Sequence, residues 1–449
     1  MAKLFGTDGI RGKVNTFPLT GDMAFKLGQA LGTTFQGKNR GKVLIGKDTR
    51  SSGYIFEYGI ASGLCSMGTD VFLAGVVPTP AVAHLVRSYA MDIGVVISAS
   101  HNPAEDNGIK FFDNLGFKLQ DDMELSIEES VFAQERSCAE NILPEDVGSV
   151  STINHGSDRY IEFAKCSIRN ASLKGLKIVL DCANGASYII GPKVFRELGA
   201  DVIVCSNTPD GVNINKDCGA LHAEKLKDLV IQEKADIGVA LDGDADRVIM
   251  VDENGSVLDG DKILAVCGLY MLDNGQLKNN TIVGTVMSNF GFELFLKEKG
   301  IKLVRTDVGD KYVIQEMLKS NYNLGGEQAG HIILSDFNST GDGIVTALQV
   351  LSMMQKTGEN LSQLTKDLVF LPQILKNVKV REKRPLNEMK DVEKVINDVT
   401  ALLKGEGRVL VRYSGTEKKC RIMVEGREHD NVDKFAQMIA NEIKNEIGE

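Results

Sequence analysis

Asp236-Ile237-Gly238-Val239-Ala240-Leu241-Asp242-Gly243-Asp244-Ala245-Asp246-Arg247 runs from an almost unbroken apolar stretch straight into three carboxylates separated by single small residues. Apolar on both faces rather than alternating, the first half reads as a strand covered by helices on each side of its sheet. Its opening occurs once before. Asp92-Ile93-Gly94-Val95 stands 144 positions earlier, at 92 against 236, and each copy follows a Gly-x-Asp-Val, at Gly68–Val71 and Gly199–Val202. Two copies of one α/β unit are expected. A third, weaker copy runs from a strand at Thr281–Val286 through a helix at Phe292–Lys299, Gly300-Ile301-Lys302-Leu303-Val304 and a second helix to Gly325-Gly326-Glu327.

Further Val/Ile-rich runs at Lys42–Gly46, Val71–Gly75, Lys177–Asp181 and Val202–Ser206 complete the expected parallel sheets. Beyond about Leu371 the pattern changes to a short strand near Asn377–Val380, a helix near Asp391–Leu403, strands at Arg408–Tyr413 and Arg421–Glu425, and a closing helix. That is a smaller α+β domain. In open α/β sheets ligands gather beyond the carboxyl ends of the strands. The equivalent ends of the three repeats are Ser98-Ala99-Ser100, Asp242-Gly243-Asp244 and Gly325-Gly326-Glu327, which one cleft between domains would unite.

A chain of 449 residues exceeds one ordinary core, and at roughly 100–200 residues per domain several domains are expected. Hydrophobic residues make up 43% and charged residues 25%, an ordinary globular balance with no apolar span long enough for a bilayer. No secretory signal is read at the start, and the eight cysteines form no C-x-x-C pair, so reduced thiols and a cytoplasmic location are expected. The formal charge of −10 argues against a general nucleic-acid surface. A phosphorylated substrate would need local basic groups.

Four segments carry chemistry. Ser98-Ala99-Ser100-His101-Asn102-Pro103 sets two hydroxyls and an imidazole directly after a strand, with Pro103 and Asp106-Asn107-Gly108 stopping its continuation. Ser100 is either a nucleophile or part of a polar turn, and the absence of G-x-S-x-G disfavours a hydrolase elbow. Asp242, Asp244 and Asp246 can converge on a hard cation, and Mg²⁺ with its few carboxylates suits phosphoryl transfer. A calcium loop matches the acid spacing and has Glu253 at its twelfth position, but Arg247 stands where its sharp turn requires Gly. Gly325–His331 offers Glu327, Gln328 and His331 among glycines, with Glu327 suited to accept from two sugar hydroxyls; a tight turn reads equally well. Arg412-Tyr413-Ser414-Gly415-Thr416-Glu417-Lys418-Lys419-Cys420-Arg421 supplies guanidinium forks, hydroxyls and turn amides for a phosphate, or is an exposed basic hairpin.

With Phe5-Gly6-Thr7-Asp8-Gly9-Ile10-Arg11-Gly12 at the start, these segments in this order resemble the alpha-D-phosphohexomutase superfamily over the whole chain. The opening and the sugar loop are most similar to members that interconvert glucosamine 6-phosphate and glucosamine 1-phosphate. The resemblance implies three related mixed-sheet α/β domains plus a smaller C-terminal α+β domain around a central cleft, divided here at 1–152, 153–254, 255–370 and 371–449. By matching position it makes Ser100 a phosphoserine that holds Mg²⁺ together with Asp242, Asp244 and Asp246. Arg11, Lys110 and Arg247 become active-site cations, with Lys110 or His331 carrying protons. Glu327, Gln328 and His331 meet the sugar, while Arg412, Ser414, Gly415, Thr416 and Arg421 grip the phosphate that is not reacting. Ala329 replaces a common Ser, and Tyr413 and Lys418 replace common Pro residues.

The implied reaction passes through glucosamine 1,6-bisphosphate, which turns over in the cleft as the C-terminal domain hinges near Leu371–Asn377. An amino-sugar phosphate is then the partner, with no nucleic acid and no membrane, and a homodimer is left open. Competing readings are a phosphomannomutase or phosphoglucomutase of the same mechanism, and a silent sugar-phosphate sensor.

Overall fold

The computed structural model describes residues 4–6, 8–35, 40–133, 142–414 and 418–449. Thr7, Cys138, Gly415 and Thr416 lie outside them. The chain divides into two compact units, one of residues 1–285 with 306–365 and the other of 286–305 with 366–449.

In the first unit the sequence repeat becomes a repeat of topology. Strand Ile93–Ile97 lies between a parallel neighbour, Lys42–Lys47, and an antiparallel one, Asp106–Phe112. Strand Ile237–Leu241 likewise lies between parallel Lys177–Asp181 and antiparallel Val248–Asp252. The full orders add Asp70–Val76 and Val150–Thr152 at one edge of the first sheet and Ile10–Lys13 at the other, and Asp201–Cys205 and Val257–Leu258 at the edges of the second. All five residues of both Ile93–Ile97 and Ile237–Leu241 are buried, as their unbroken apolar runs require.

The shared glycine has a packing cause. A Cβ on Gly94 would stand 2.5 Å from a Val86 methyl, and one on Gly238 would stand 2.7 Å from a Val230 methyl. Each glycine lets the crossover helix, Thr79–Ser88 or Glu224–Glu233, settle directly on its strand. The third repeat keeps the layout in parallel Thr281–Thr285 and Leu324–Gly326, with Ile332–Leu334 antiparallel to the latter. Helix Gly343–Thr357 opens on Asp342, whose carboxylate accepts from the Val345 N–H at 3.0 Å, and closes on Gly358 at φ +71°.

Expected strand ends hold to within a residue or two except near Asn377–Val380, where the strand starts four residues earlier at Gln373, and one reading is corrected. Asp106-Asn107-Gly108, read as a breaker, opens strand Asp106–Phe112 instead. The loop before it does the turning, and Gly108 sits so close to the neighbouring strand that a Cβ would lie 2.5 Å from the Ser98 carbonyl oxygen. The edge strand Ile10–Lys13, which pairs with it, was not foreseen.

The second unit is a three-stranded antiparallel sheet, Gln373–Lys379, Lys419–Glu425 and Arg408–Tyr413 in that order, with helices Lys390–Leu402 and His429–Ile447. The closing helix buries Val432, Ala436, Ile439, Ala440, Ile443 and Ile447, an i, i+4, i+7 stripe. Residues 286–305, expected within the third repeat, group here for a local reason. Asn289 pairs its side-chain amide with the backbone of Leu371, donating at 3.0 Å and accepting at 3.1 Å, while the Phe290 N–H donates to buried Glu425 at 3.1 Å. The two compact units divide after residues 285, 305 and 365. No helix among the described residues is long and apolar enough to cross a membrane.

Candidate active site

Ser100 follows strand Ile93–Ile97 and is only 1% exposed, with φ at +53°. That left-handed conformation costs a non-glycine residue about 1–2 kcal/mol, so its surroundings must impose it. Its hydroxyl donates to Asp242 Oδ2 at 2.6 Å and lies 3.3 Å from His101 Nδ1. Burial, then the charges of Arg247 and Arg11, push the His101 ring down to about 4, so the imidazole is neutral at pH 7.

The acids converge because Ala245 turns the loop at φ +56°, closed by the Ala245 N–H donating to the Asp242 carbonyl at 3.0 Å. Oxygens of Asp242, Asp244 and Asp246 lie within 4.8 Å of one another, all buried. Asp244 Oδ2 accepts from the Thr79 hydroxyl at 2.5 Å and from Lys110 at 2.9 Å, and Asp246 Oδ2 accepts from Lys110 at 3.2 Å. Their other oxygens, Asp244 Oδ1 and Asp246 Oδ1, are buried with no hydrogen-bond partner among the described residues. Buried acceptors left in that state are costly, and burial together with Asp246 and Asp244 pushes Asp242 well above the usual carboxylate range. An all-oxygen donor set with orphaned, mutually repelling carboxylates fits a hard divalent cation.

Positive charge surrounds the triad. Lys110, 1% exposed, touches Asp244, Asp246 and, at 3.2 Å, Asp8. Burial alone would lower its ammonium, but Asp244, Asp246 and Asp8 hold it well above its ordinary value. Asp8 also pairs with Arg11 and Lys118, and Lys118 continues to Asp310. Arg247 donates its backbone N–H to Asp242 Oδ1 at 3.1 Å, and its side chain passes 3.9 Å from Asp246.

The sugar-loop residues join the same unit through the backbone bridge between Arg247 and His331. The Gly341 N–H donates to His331 Nε2 at 3.1 Å, which leaves the ring proton on Nδ1, 3.7 Å from Asp246. Glu327 is half-buried and accepts from the Gly309 N–H at 3.0 Å, inside a turn closed by the Gly330 N–H on its own carbonyl at 2.9 Å. The Gln328 amide reaches Asp259 at 3.3 Å, and Ala329 is exposed. Arg412 and Arg421 belong to the second unit, where they face each other across its antiparallel strands and so share one side of the sheet. Beside them the Ser414 carbonyl accepts from Lys383 at 2.6 Å; Gly415 and Thr416 lie outside the described residues.

Sequence reasoning passed over Asp48, Arg50, Thr79, Lys118, Asn215 and Asp310, which hold these groups. A signal existed for two of them. Lys47-Asp48-Thr49-Arg50 stands at the carboxyl end of a buried strand, the position that drew attention to Ser100 and Asp242.

Four family models match in chain order: the phosphoglucomutase/phosphomannomutase alpha/beta/alpha domains I, II and III over residues 2–137, 158–255 and 259–370, and the C-terminal domain over 375–442. Among curated relatives, a phosphoglucosamine mutase of Geobacter sp. (strain M21) is 51% identical over 100% of this chain and 99% of its own. Another, from Protochlamydia amoebophila, is 49% identical over 99% and 98%. A phosphoglucomutase/phosphomannomutase family protein from Burkholderia thailandensis shares the fold at TM-score 0.79 and 22% identity, covering 99% of this chain and 97% of that one. An Aspergillus fumigatus N-acetylphosphoglucosamine mutase, solved with GlcNAc-6P and magnesium, matches at TM-score 0.68 and 18% identity over 98% and 95%. A buried serine hydroxyl on an acid triad, in a chain that matches all four domain models and is 51% identical to a full-length member, makes this protein a member of the phosphoglucomutase/phosphomannomutase family.

Proposed function

We propose that this enzyme interconverts glucosamine 6-phosphate and glucosamine 1-phosphate through phosphorylated Ser100 and a 1,6-bisphosphate. The observation that carries the reading is the Ser100 hydroxyl 2.6 Å from Asp242, beside two carboxylate oxygens with no hydrogen-bond partner among the described residues. Full-length relatives near 50% identity bear the name phosphoglucosamine mutase, which supports the choice of substrate.

In this scheme Asp242, Asp244, Asp246 and the Ser100 phosphate would hold Mg²⁺, which when bound offsets charge on the transferring oxygens. Arg412 and Arg421 grip the phosphate that is not reacting, and Glu327 orients sugar hydroxyls. Sugar O1 gives its proton to a nearby base and attacks the phosphoserine phosphorus as the bond to Ser100 Oγ breaks and Oγ takes up a proton, with Arg247 and Arg11 stabilising the charge. Lys110, kept cationic by its three carboxylates, and His331 are the proton carriers of the scheme. After the bisphosphate turns over, Ser100 Oγ loses its proton and takes the 6-phosphoryl group, O6 regains a proton, and the 1-phosphate leaves. Seven described cysteines are free thiols, consistent with work in the cytoplasm. The test compares glucosamine, glucose and mannose 6-phosphates side by side. Highest kcat/KM on glucosamine 6-phosphate is expected, and a clear preference for either neutral sugar would replace the substrate named here.

A further inference from the structure

Arg50 is a fully buried arginine in the first unit that no step above uses. Each of its five N–H donors has an acceptor. Nε donates to Asp48 at 2.9 Å, one terminal nitrogen to the carbonyls of Pro103 and, at 3.0 Å, Asp106, and the other to those of Ser100 at 3.1 Å and Asn102 at 2.8 Å. Four carbonyls of the loop that carries Ser100 thus point inward at one guanidinium. Asp48 holds the other side of the same residue. It accepts from the Ser98 hydroxyl at 2.6 Å, and that hydroxyl accepts from the Ser100 N–H at 2.9 Å.

Both peptide groups flanking Ser100 are therefore tied to the Asp48–Arg50 pair. The Asn215 amide, from the second repeat, donates to the same two carbonyls, Ser100 at 2.8 Å and Asn102 at 3.0 Å. Asn215 itself sits at φ +57°. With its N–H and C=O fixed from both sides, Ser100 has no freedom to leave φ +53°, and its Cβ is aimed at Asp242.

We propose that Arg50 and Asn215 are positioning residues for phosphoryl transfer, clamping the Ser100 and Asn102 carbonyls so that the serine oxygen stays in line with the substrate in both half-reactions. The inference rests on the phosphoserine reading above. Among the described residues neither side chain hydrogen-bonds Glu327, Gln328 or His331, so their loss acts on the rate of transfer and not on capture of substrate. Lysine cannot replace Arg50, because a point ammonium cannot span acceptors arranged for a planar fork.

The experiment measures kcat and KM for glucosamine 6-phosphate in Arg50→Lys, Asn215→Gly and Asn215→Asp, with thermal melting alongside. It also follows the rate at which Ser100 gains phosphate from glucose 1,6-bisphosphate by intact mass. Glycine at 215 tolerates the backbone and deletes the amide, whereas aspartate turns a donor into an acceptor facing two carbonyl oxygens. Expected is a fall in kcat and in phosphate uptake of about tenfold or more, the effect of slight misplacement of a reacting atom. KM should stay within about threefold, with Asn215→Asp worse than Asn215→Gly. If both Asn215 variants keep kcat and uptake within twofold of wild type, the proposal is overturned, whether or not Arg50→Lys folds. Wild-type inactivity on glucosamine 6-phosphate would strike the substrate reading instead, while uptake still ranks the variants.

Discussion

Replacing Gly243 with alanine inserts one methyl group between the two halves of the candidate active site. A Cβ there would lie 2.6 Å from the Ser100 carbonyl oxygen, 2.8 Å from the Asn215 amide nitrogen and 2.8 Å from a methyl of Ile214. Gly243 has no positive φ, so the backbone accepts alanine and the effect is purely one of space. Ordinary carbon contacts sit near 3.5 Å or beyond, so the loop carrying Ser100 must retreat by several tenths of an ångström up to about 1 Å. Overpacking of this kind costs about 1–3 kcal/mol of stability. Displacing a reacting atom by about 1 Å costs on the order of a hundredfold in rate. The expected result is a folded enzyme with a modestly lower melting temperature and kcat down by about ten- to a hundredfold. Steady-state kinetics on glucosamine 6-phosphate, paired with denaturant unfolding, reads both quantities. An unfolding cost within that range with kcat inside twofold of wild type would refute the idea that Ser100 must meet Asp242 at its present distance.

Other consequences reach beyond the cleft. His84 stacks on Phe163 at 4.0 Å, and burial, then Arg87 and Arg159, push it from 6.5 to about 4. Between those values the unfolded chain binds a proton that the folded chain refuses, so stability falls as pH drops from 6.5 toward 4 and is unaffected above. Partial exposure cuts the effect to about 1–2 kcal/mol. Urea unfolding at pH 5 and 7.5 should show it in wild type and lose it in His84→Phe; equal pH slopes in the two proteins contradict the assignment. Tyr160 donates to buried Asp342 at 2.7 Å, so Tyr160→Phe should cost about 1–3 kcal/mol with kcat retained, and a cost below about 0.5 kcal/mol would show the bond to be idle. Asn289→Ala removes a helix cap and both bonds to Leu371, and should speed proteolysis around residues 366–372 several-fold; unchanged cleavage would mean that another contact ties 286–305 to the second unit.

Much of the fold was legible because its strands are unbroken apolar runs, and the Asp-Ile-Gly-Val repeat marks equivalent strands whose glycine admits a helix. Ser100 and the triad were legible for a related reason, since they stand at strand ends where polar residues have no packing role. What escaped was set by distant partners. Asp106-Asn107-Gly108 carries turn residues yet pairs as strand, because Gly108 fits against Ser98 and Ile10–Lys13 covers its far side. Residues 286–305 follow the period of the third repeat, and their added ties through Asn289 and Phe290 to Leu371 and Glu425 escaped because no local pattern records a bond between positions 289 and 371. The role of Arg50 escaped because nothing near it in sequence reveals that four distant carbonyls converge on its fork.

The most direct measurement is intact-mass and peptide mapping of the protein before and after incubation with a sugar 1,6-bisphosphate. A gain of one phosphate, located on the Ser100 peptide and discharged by glucosamine 6-phosphate, is the predicted result. An enzyme that turns over while Ser100 never carries phosphate, or carries it on another residue, would contradict the account.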